Sequence, residues 1–543
     1  MSSLDSHVYD VIGIGFGPAN VAIAGALLDK SSLPNAIQPN DVLFIEKHDQ
    51  FRWHPGMLLP DARMQISFLK DLATLRCPTS PLTFTSYLHD QGRLVSFINR
   101  GSTIPTRKEY SDYLTWASEY VQHRGIRVAY GQDVVALDKG PDGTVQVRST
   151  NLSTGEQLVR RARDLIISPG GSPRVPPALA SISPNPFLLH TSVYLYRMPP
   201  ILSKLTARSA EQRPLRIAVI GSGQSAAEVL LDLHNRLSVI DTAGRGKHQL
   251  DMIIRNGSLK PSDDSPFANE IFDPDSTDVM FKLPSAHARK HVRTEYQSTN
   301  YGVVSPHTLE NLYEIMYDQR IDDAVEKRTN RANMSTHPRI TIKPYSELLT
   351  AELVDPADAT ESQVNLVFQN TLSRDMYEAT YDAVISATGY DRRSWLSLLT
   401  SSPVGKYYGL SSVSGEIHLA STTELSEDKR SLAFQAINTN TNTHTSDTST
   451  SSAVSSPPSS PGGSVGVRTP PVSQKLYVSR NYQLLPVSPS GDVVDAPLDD
   501  FKARVYLQGC TEDTHGLSDT LLSIVGVKCG ELVEDIYAGR SRT

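Results

Sequence analysis

The chain has 543 residues, with 52 Lys and Arg against 59 Asp and Glu, for a formal net charge of −7. That length allows about three to four domains with their own cores, and the weakly acidic balance gives no basic footprint for nucleic acid or anionic lipid. Only three cysteines are present, Cys77, Cys510 and Cys529, far apart, which excludes a disulfide scaffold, a CxxC redox pair and a cysteine-rich zinc site and fits a reducing compartment.

The opening segment, MSSLDSHVYDVIGIG, has no basic stretch ahead of an apolar one, so it does not read as a signal peptide. No run approaches the roughly 20 apolar residues of a membrane span. A cytoplasmic enzyme without membrane or nucleic-acid partners is therefore expected. Val8–Gly13 reads as a buried strand, Val21–Leu28 as a helix and Asp41–Glu46 as the next strand, which makes a βαβ unit. Leu165–Ser168 is a further strand that runs into Pro169-Gly170-Gly171. A second βαβ unit begins with strand Arg216–Ile220, continues with helix Ala227–Leu233 and returns in strand Asp251–Arg255. Residues 242–249 between them read as an exposed loop. Asp382–Ser386 is a strand that ends in Ala387-Thr388-Gly389. Residues 438–471 hold 16 Ser and Thr among 34 positions and cannot bury enough surface to offset ordering, so disorder is expected there. Val505–Gln508 reads as a strand and Ser518–Ile536 as the last helix.

Two turns carry the chemistry. Gly15, Gly17 and Asn20 form GxGxxN between the first strand and helix. In such a motif the first glycine permits the tight turn, the second lets backbone approach a pyrophosphate, and the helix N-terminus faces the phosphates. Glu46 ends the next strand and is the acid expected on a ribose diol. Gly221, Gly223 and Ala226 repeat the pattern as GxGxxA, but Arg255 rather than an acid follows the second strand. A cation there favours a 2′-phosphate, and hence NADPH over NADH. Two such units in one chain resemble the two-dinucleotide-binding-domain flavoproteins, which implies FAD in the first and a nicotinamide cofactor in the second, and without the CxxC pair of that superfamily's disulfide reductases the resemblance points the flavin toward oxygen.

Five segments carry a closer likeness: Phe51–Met57 (FRWHPGM), Met64–Thr74 (MQISFLKDLAT), Ser262–Phe272 (SDDSPFANEIF), Thr299–Tyr301 (TNY) and His515–Ser518 (HGLS). With the two glycine turns they resemble the N-hydroxylating flavin monooxygenases of the lysine/ornithine family of siderophore biosynthesis. The resemblance implies FAD and NADPH as cofactors, a flavin C(4a)-hydroperoxide as oxidant, and hydroxylation of the side-chain amine of L-ornithine. L-lysine or another amine or sulfide is the alternative substrate, and a silent NADPH-sensing protein on the same fold is the alternative role. A homotetramer is also implied.

Carried onto this sequence, the resemblance assigns Glu46, Lys47, His48, Asp49, Gln50, Phe51, Arg52, Trp53, His54 and Gln65 to FAD, with Val134 near the adenine. Ser222, Gly223, Gln224, Ser225 and Arg255 match NADPH-contacting positions, with Asn300, Tyr301 and Gly302 also facing that cofactor. Lys70, Asn269, Glu270, Ile271, Phe272 and Ser518 match amino-acid substrate positions, and His515, Gly516 and Leu517 would face the flavin ring. Lys70 suits the substrate carboxylate, Asn269 can donate to it and accept from the α-ammonium, Asn300 would position the terminal amine, and Ser518 would open a helix N-terminus near negative charge. No side-chain nucleophile and no metal is expected, and Cys510 reads as a buried small hydrophobe.

The expected fold is α/β: two Rossmann-like dinucleotide-binding domains plus a small, mostly helical substrate region. The FAD domain would use residues 1–205 and 385–543, the NADPH domain 206–384, and the substrate region about 260–330.

Overall fold

The apolar run at Val8–Gly13 lies within a longer strand, Ser3–Ile14, at the centre of a seven-stranded sheet. The computed structural model describes residues 3–208, 213–242, 244–330, 337–354, 363–410, 416–425 and 474–541. The Ser/Thr-rich segment 438–471 lies outside the described residues. The central strand runs parallel to Val42–Ile45 on one side, with Val11 opposite Val42 and Ile14 opposite Ile45. On the other side it is parallel to Gln157–Ile167, with Ile12 opposite Leu165. Val11 and Ile12 are fully buried, each burial being worth about 1.5–3 kcal/mol.

Strand Gln157–Ile167 serves two partners in succession. Its first half pairs antiparallel with Val145–Asn151, and its last four residues pair in parallel with Arg504–Leu507. The chain thus returns, more than three hundred residues later, to finish its first sheet. Arg504 fixes that return by binding both carboxylate oxygens of buried Asp164 at 2.7 Å. The following helix, Val525–Arg540, packs against the first helix, Pro18–Asp29, around buried Leu532, Val533 and Ile536.

The second βαβ unit builds a five-stranded parallel sheet ordered Arg339–Lys343, Gln249–Ile253, Arg216–Ile220, Ala383–Ser386, Leu188–His190. Helix Gln224–Ser238 covers one face. An antiparallel sheet of Ser346–Leu353, Val364–Asn370 and Met376–Tyr381 covers the other, with Val364, Leu366 and Phe368 fully buried against it. Sheet membership departs from the expected division at two strands. Leu188–His190 precedes residue 206, and Ala383–Ser386 crosses residue 385, yet both belong to the second sheet. Hydrogen-bond register, not chain position, decides that membership. Residues 260–330 are mainly helical: Pro266–Glu270, Ser276–Lys282, Ala286–Asn300 and Pro306–Thr329.

Three local expectations need correction. The second unit's return strand ends at Ile253, so Arg255 stands exposed two residues beyond it. The loop 242–249 is stitched down at its end: His248 is buried, accepts from the Leu215 N–H and bonds the Ile240 carbonyl. The helix expected from Ser518 begins at Val525 instead, after two single 3-10 turns, Leu517–Thr520 and Leu522–Ile524. Leu521 is extended between them (φ −102°, ψ 156°), which no continuous helix accommodates.

Candidate active site

The first glycine turn opens onto a cavity of about 1160 Å³ that reaches the helical region and the C-terminal segment. Gly15 has φ +84°, and a Cβ there would lie 2.4 Å from the Ser168 carbonyl oxygen, so only glycine fits. A Cβ on Gly17 would meet nothing within 4 Å, and Gly17 caps helix Pro18–Asp29 without any side-chain bond. The uncapped first-turn N–H groups are thus left for an anion. Asn20 takes the third position for a different reason: buried, it donates to the carbonyls of Ile14 at 3.2 Å and Gly15 at 2.6 Å and clamps the turn from below.

Glu46 ties the two loops together. Its carboxylate accepts the Phe16 N–H at 2.7 Å on one oxygen and the His48 N–H at 2.9 Å on the other. Each oxygen keeps a lone pair for a ribose hydroxyl. Lys47, His48, Arg52, Trp53, His54, Gln65 and Val134 line the same cavity. Asp49, Gln50 and Phe51 do not; Asp49 pairs with Arg52, and Phe51 packs edge-on to Phe16. Trp53 packs on Tyr110 with ring centroids 5.8 Å apart. His54 sits in the left-handed region at φ 41°. Its side chain is exposed to the cavity, yet the surrounding protein mass desolvates it and, with the nearby charges of Arg392 and Arg107, pushes its pKa down to about 4, which leaves the imidazole neutral at pH 7.

Lys70 is half-buried, lines the cavity and has no ion-pair partner among the described residues. The neighbouring side chain of Asp71 presents it. Buried Asp71 accepts the N–H groups of Ala73, Thr74 and Phe84 and the Thr74 hydroxyl, which fixes the turn. Across the cavity lie Asn269, Phe272 and Asn300. Ser265, not Asn269, caps the short helix Pro266–Glu270; Asn269 donates to the Asp264 carbonyl at 3.0 Å. Glu270 and Ile271 do not reach the cavity wall.

The C-terminal wall was only partly foreseen. His515, Gly516, Leu517 and Ser518 are absent from the cavity lining, and His515, Leu517 and Ser518 are buried. His515 stacks on Tyr482 at 4.3 Å and bonds Thr514 and the Arg480 carbonyl, while burial lowers its pKa to about 4. The wall itself is made by Tyr390, Arg392, Gln508, Gly509, Asp519–Ser523, Val525 and Lys528. Asp519 and Lys528 are a buried pair, with the ammonium 3.5 Å from Oδ1 and also donating to the Asp519 carbonyl. The Lys528 charge offsets desolvation and holds the Asp519 pKa below the ordinary value. A lone lysine in the last helix gave no sequence signal for this role.

Three buried side-chain atoms around the cavity have no hydrogen-bond partner, Asn300 Oδ1 on the helical side and Gln508 Oε1 and Ser523 Oγ on the C-terminal wall, and Asp519 Oδ1 has none beyond the Lys528 ammonium. Unsatisfied buried polar atoms gathered at one cavity call for a polar ligand. The open Gly17 face, the Glu46 lone pairs and these atoms together fit a dinucleotide such as FAD.

The second glycine turn faces elsewhere. Gly221 has φ +140°, and a Cβ there would meet the Ala387 carbonyl at 2.3 Å. Gly223 caps helix Gln224–Ser238 without a side-chain bond, and a Cβ on it would lie 3.5 Å from Gly302. Gly302 in turn lies against Ser222, so the structure brings residues 300–302 onto this turn. Asn300 lines the first cavity, whereas Tyr301 and Gly302 do not. Tyr301 donates to Glu512 at 2.9 Å, and burial raises its pKa to about 12. Gln224 accepts the Ser305 N–H and donates to Glu228 and Thr308. Ser222, Gly223, Gln224, Ser225 and the exposed Arg255 are not part of the first cavity. The three cysteines are unpaired; Cys529 rather than Cys510 is the buried one, and burial pushes both of these thiols up. No group of metal-ligating residues occurs among the described residues. No described helix is long and apolar enough to cross a membrane.

Comparison with known proteins agrees with this geometry. Residues 7–392 match the model of the L-lysine 6-monooxygenase/L-ornithine 5-monooxygenase family. An L-ornithine N(5)-monooxygenase of Ceriporiopsis subvermispora is 49% identical over 546 residues, covering 98% of both chains. The reduced form of the ornithine hydroxylase of Pseudomonas aeruginosa superposes with a TM-score of 0.70 at 30% identity, over 98% of this chain and all of the other. The ornithine N-hydroxylase of Kutzneria sp. 744, solved with reduced FAD, NADP+ and L-orn, gives a TM-score of 0.70 at 28% identity, over 99% of this chain and all of the other.

Proposed function

The chain belongs to the L-lysine 6-monooxygenase/L-ornithine 5-monooxygenase family, and on that premise we propose that it uses FAD and NADPH to hydroxylate the side-chain amine of L-ornithine, releasing N(5)-hydroxy-L-ornithine for hydroxamate siderophore assembly. The observation that carries this reading is one cavity that joins the Gly15–Gly17 turn to an unpaired cation, Lys70, and to the unpartnered Asn300 Oδ1. FAD would lie along Glu46, Trp53, His54 and Gln65, and NADPH would approach from Ser222–Ser225 with Arg255 at its 2′-phosphate.

Bound flavin supplies the reduction of oxygen and the transfer of one oxygen atom, which no side chain here can perform. The protein residues do the rest. Lys70 holds the substrate carboxylate by a charge-assisted bond. Asn269 spans carboxylate and α-ammonium. Asn300 Oδ1 accepts an N–H of the terminal amine and so orients its lone pair away from the carboxamide. Neutral His54 adds no positive charge against the amine. The buried Asp519–Lys528 pair is charge-balanced, so it holds the C-terminal wall without leaving a net charge in it.

The test is product formation. Purified protein should be yellow, should oxidise NADPH faster when L-ornithine is added, and should yield a hydroxylamine from it. L-lysine assayed beside it should give much less, since one extra methylene is worth about 1–3 kcal/mol. Equal product from lysine would move the substrate to that amino acid. NADPH binding with no product from any amine would favour the sensor reading.

A further inference from the structure

One buried acceptor on the C-terminal wall has its direction fixed by a cysteine. Gln508 follows strand Arg504–Leu507, and its N–H donates to the Ile167 carbonyl at 3.0 Å. It lines the cavity while exposing only 1% of its surface. Its Nε2 donates to Cys529 Sγ at 3.0 Å. Cys529, fully buried in helix Val525–Arg540, donates in turn to the Ala19 carbonyl at 3.4 Å. Burial pushes the thiol pKa up to about 12, so it keeps its proton at neutral pH. A thiol has a single hydrogen to donate. With that hydrogen on Ala19, the sulfur can only accept, so the carboxamide must face it with an N–H. Oε1 is thereby turned the other way, and it has no partner. A buried oxygen without a donor is costly, and one on a cavity wall calls for a ligand that brings the donor.

The same relay places the acceptor along the site. Ala19 lies two residues after Gly17, in the first turn of the helix whose free N–H groups await phosphate. Gln508 is joined to that turn through one sulfur atom. On the AMP side of the phosphates, the Glu46 carboxylate is already placed for a ribose diol. On the flavin side, the part of FAD attached directly to the phosphate is the ribityl chain, which carries three hydroxyl donors. The N–H of the oxidised ring lies on its far edge, well beyond that chain.

We propose that Gln508 Oε1 accepts a hydroxyl of the FAD ribityl chain and that Cys529 is the positioning residue that holds the carboxamide for it. The proposal rests on the FAD reading above. It gives the buried thiol a role that needs neither oxidation nor nucleophilic attack.

Titration of the full-length chain, freed of flavin, with FAD and with its 2′-, 3′- and 4′-deoxyribityl analogues tests it. The unaltered chain should bind one of the three analogues about tenfold more weakly than FAD, the range for one lost hydrogen bond. Gln508→Met should weaken FAD by a similar factor and bind that one analogue as well as the unaltered chain does. Cys529→Ala frees the carboxamide to turn and should lose part of the FAD affinity. Cys529→Ser, which can still donate to Ala19 and accept from Nε2, should regain it. FAD affinity unaltered in Gln508→Met, or a loss that persists against all three analogues, would overturn the inference while leaving the cofactor assignment intact. Unaltered affinity in Cys529→Ala would overturn the role of the thiol. A chain that binds no FAD at all would overturn the cofactor assignment and the inference with it.

Discussion

Half-buried Arg107 and buried Glu228 join the two dinucleotide units through a two-pronged ion pair. Arg107 Nη1 and Nη2 lie 2.6 and 2.9 Å from the two Glu228 carboxylate oxygens. Arg107 opens helix Arg107–His123 beside the first cavity, and Glu228 sits one turn into the helix of the second glycine turn. Gln224 Nε2 also donates to Glu228 at 2.7 Å, so the pair touches the second turn itself. Breaking one side leaves a buried charge alone, which is costly. Glu228→Gln should destabilise the protein by on the order of 3 kcal/mol, read as a lower Tm and a lower urea midpoint. Arg107→Met with Glu228→Met should cost less than the single change. An unaltered Tm in Glu228→Gln would show that the pair carries little.

Lys70 is the cation proposed for the substrate carboxylate. Lys70→Ala should raise KM for L-ornithine by about tenfold or more, the range for a lost charge-assisted bond, while NADPH still reduces the flavin. Steady-state kinetics and stopped-flow reduction separate the two effects. An unchanged KM would remove Lys70 from the carboxylate role.

Arg255 lies beyond the end of its strand, exposed, where it is free to meet a 2′-phosphate. Arg255→Ala should weaken NADPH more than NADH and leave the flavin content normal. Titration with both nicotinamides checks this, and equal loss for the two would assign Arg255 a role outside phosphate recognition.

His54 makes stability depend on pH. Folded, it stays neutral down to about pH 4; unfolded, it takes up a proton below its ordinary 6.5. The unfolded chain therefore binds the extra proton between those values. Stability from this residue is full above about pH 6.5 and is lost as pH falls toward 4. His54 is exposed to the cavity, so solvent screens the shift and the window is worth well under about 3 kcal/mol. Buried His515 adds to it in the same direction. His54→Asn keeps a residue that tolerates left-handed backbone and removes the titration. The drop in unfolding free energy from pH 7 to pH 5 should be smaller in that variant, and an identical drop would exclude His54 as a source.

Much of the local architecture was legible because it rests on short-range rules. Gly15 and Gly221 occupy positive-φ turns that collide with a carbonyl if a Cβ is added, and the strand–turn–helix context around each was readable from apolar periodicity. The mostly helical region over 260–330 was expected with the family resemblance rather than from apolar periodicity. The last helix was misread because Ser518–Ile524 has helical composition but an extended Leu521, and nothing local signals that break. His515, expected to face the flavin ring, is off the cavity lining and packs between Tyr482 and Phe281, contacts made across 33 and 234 positions of chain.

By itself the sequence determined two glycine turns, the acid that follows the first, the missing CxxC pair and the motifs that mark the family. These depend on residue types at fixed small spacings, where backbone geometry leaves few options. Only the tertiary structure decided which polar groups share a wall. Gln508, Asp519, Ser523 and Lys528 share one wall because Arg504–Leu507 completes the first sheet and turns Val525–Arg540 back onto Pro18–Asp29, and helix Ala286–Asn300 brings Asn300 to the same cavity. The pairing of Arg107 with Glu228 has the same origin. Long-range packing selects which face of each element is covered, and burial then turns ordinary polar residues into unsatisfied or paired ones.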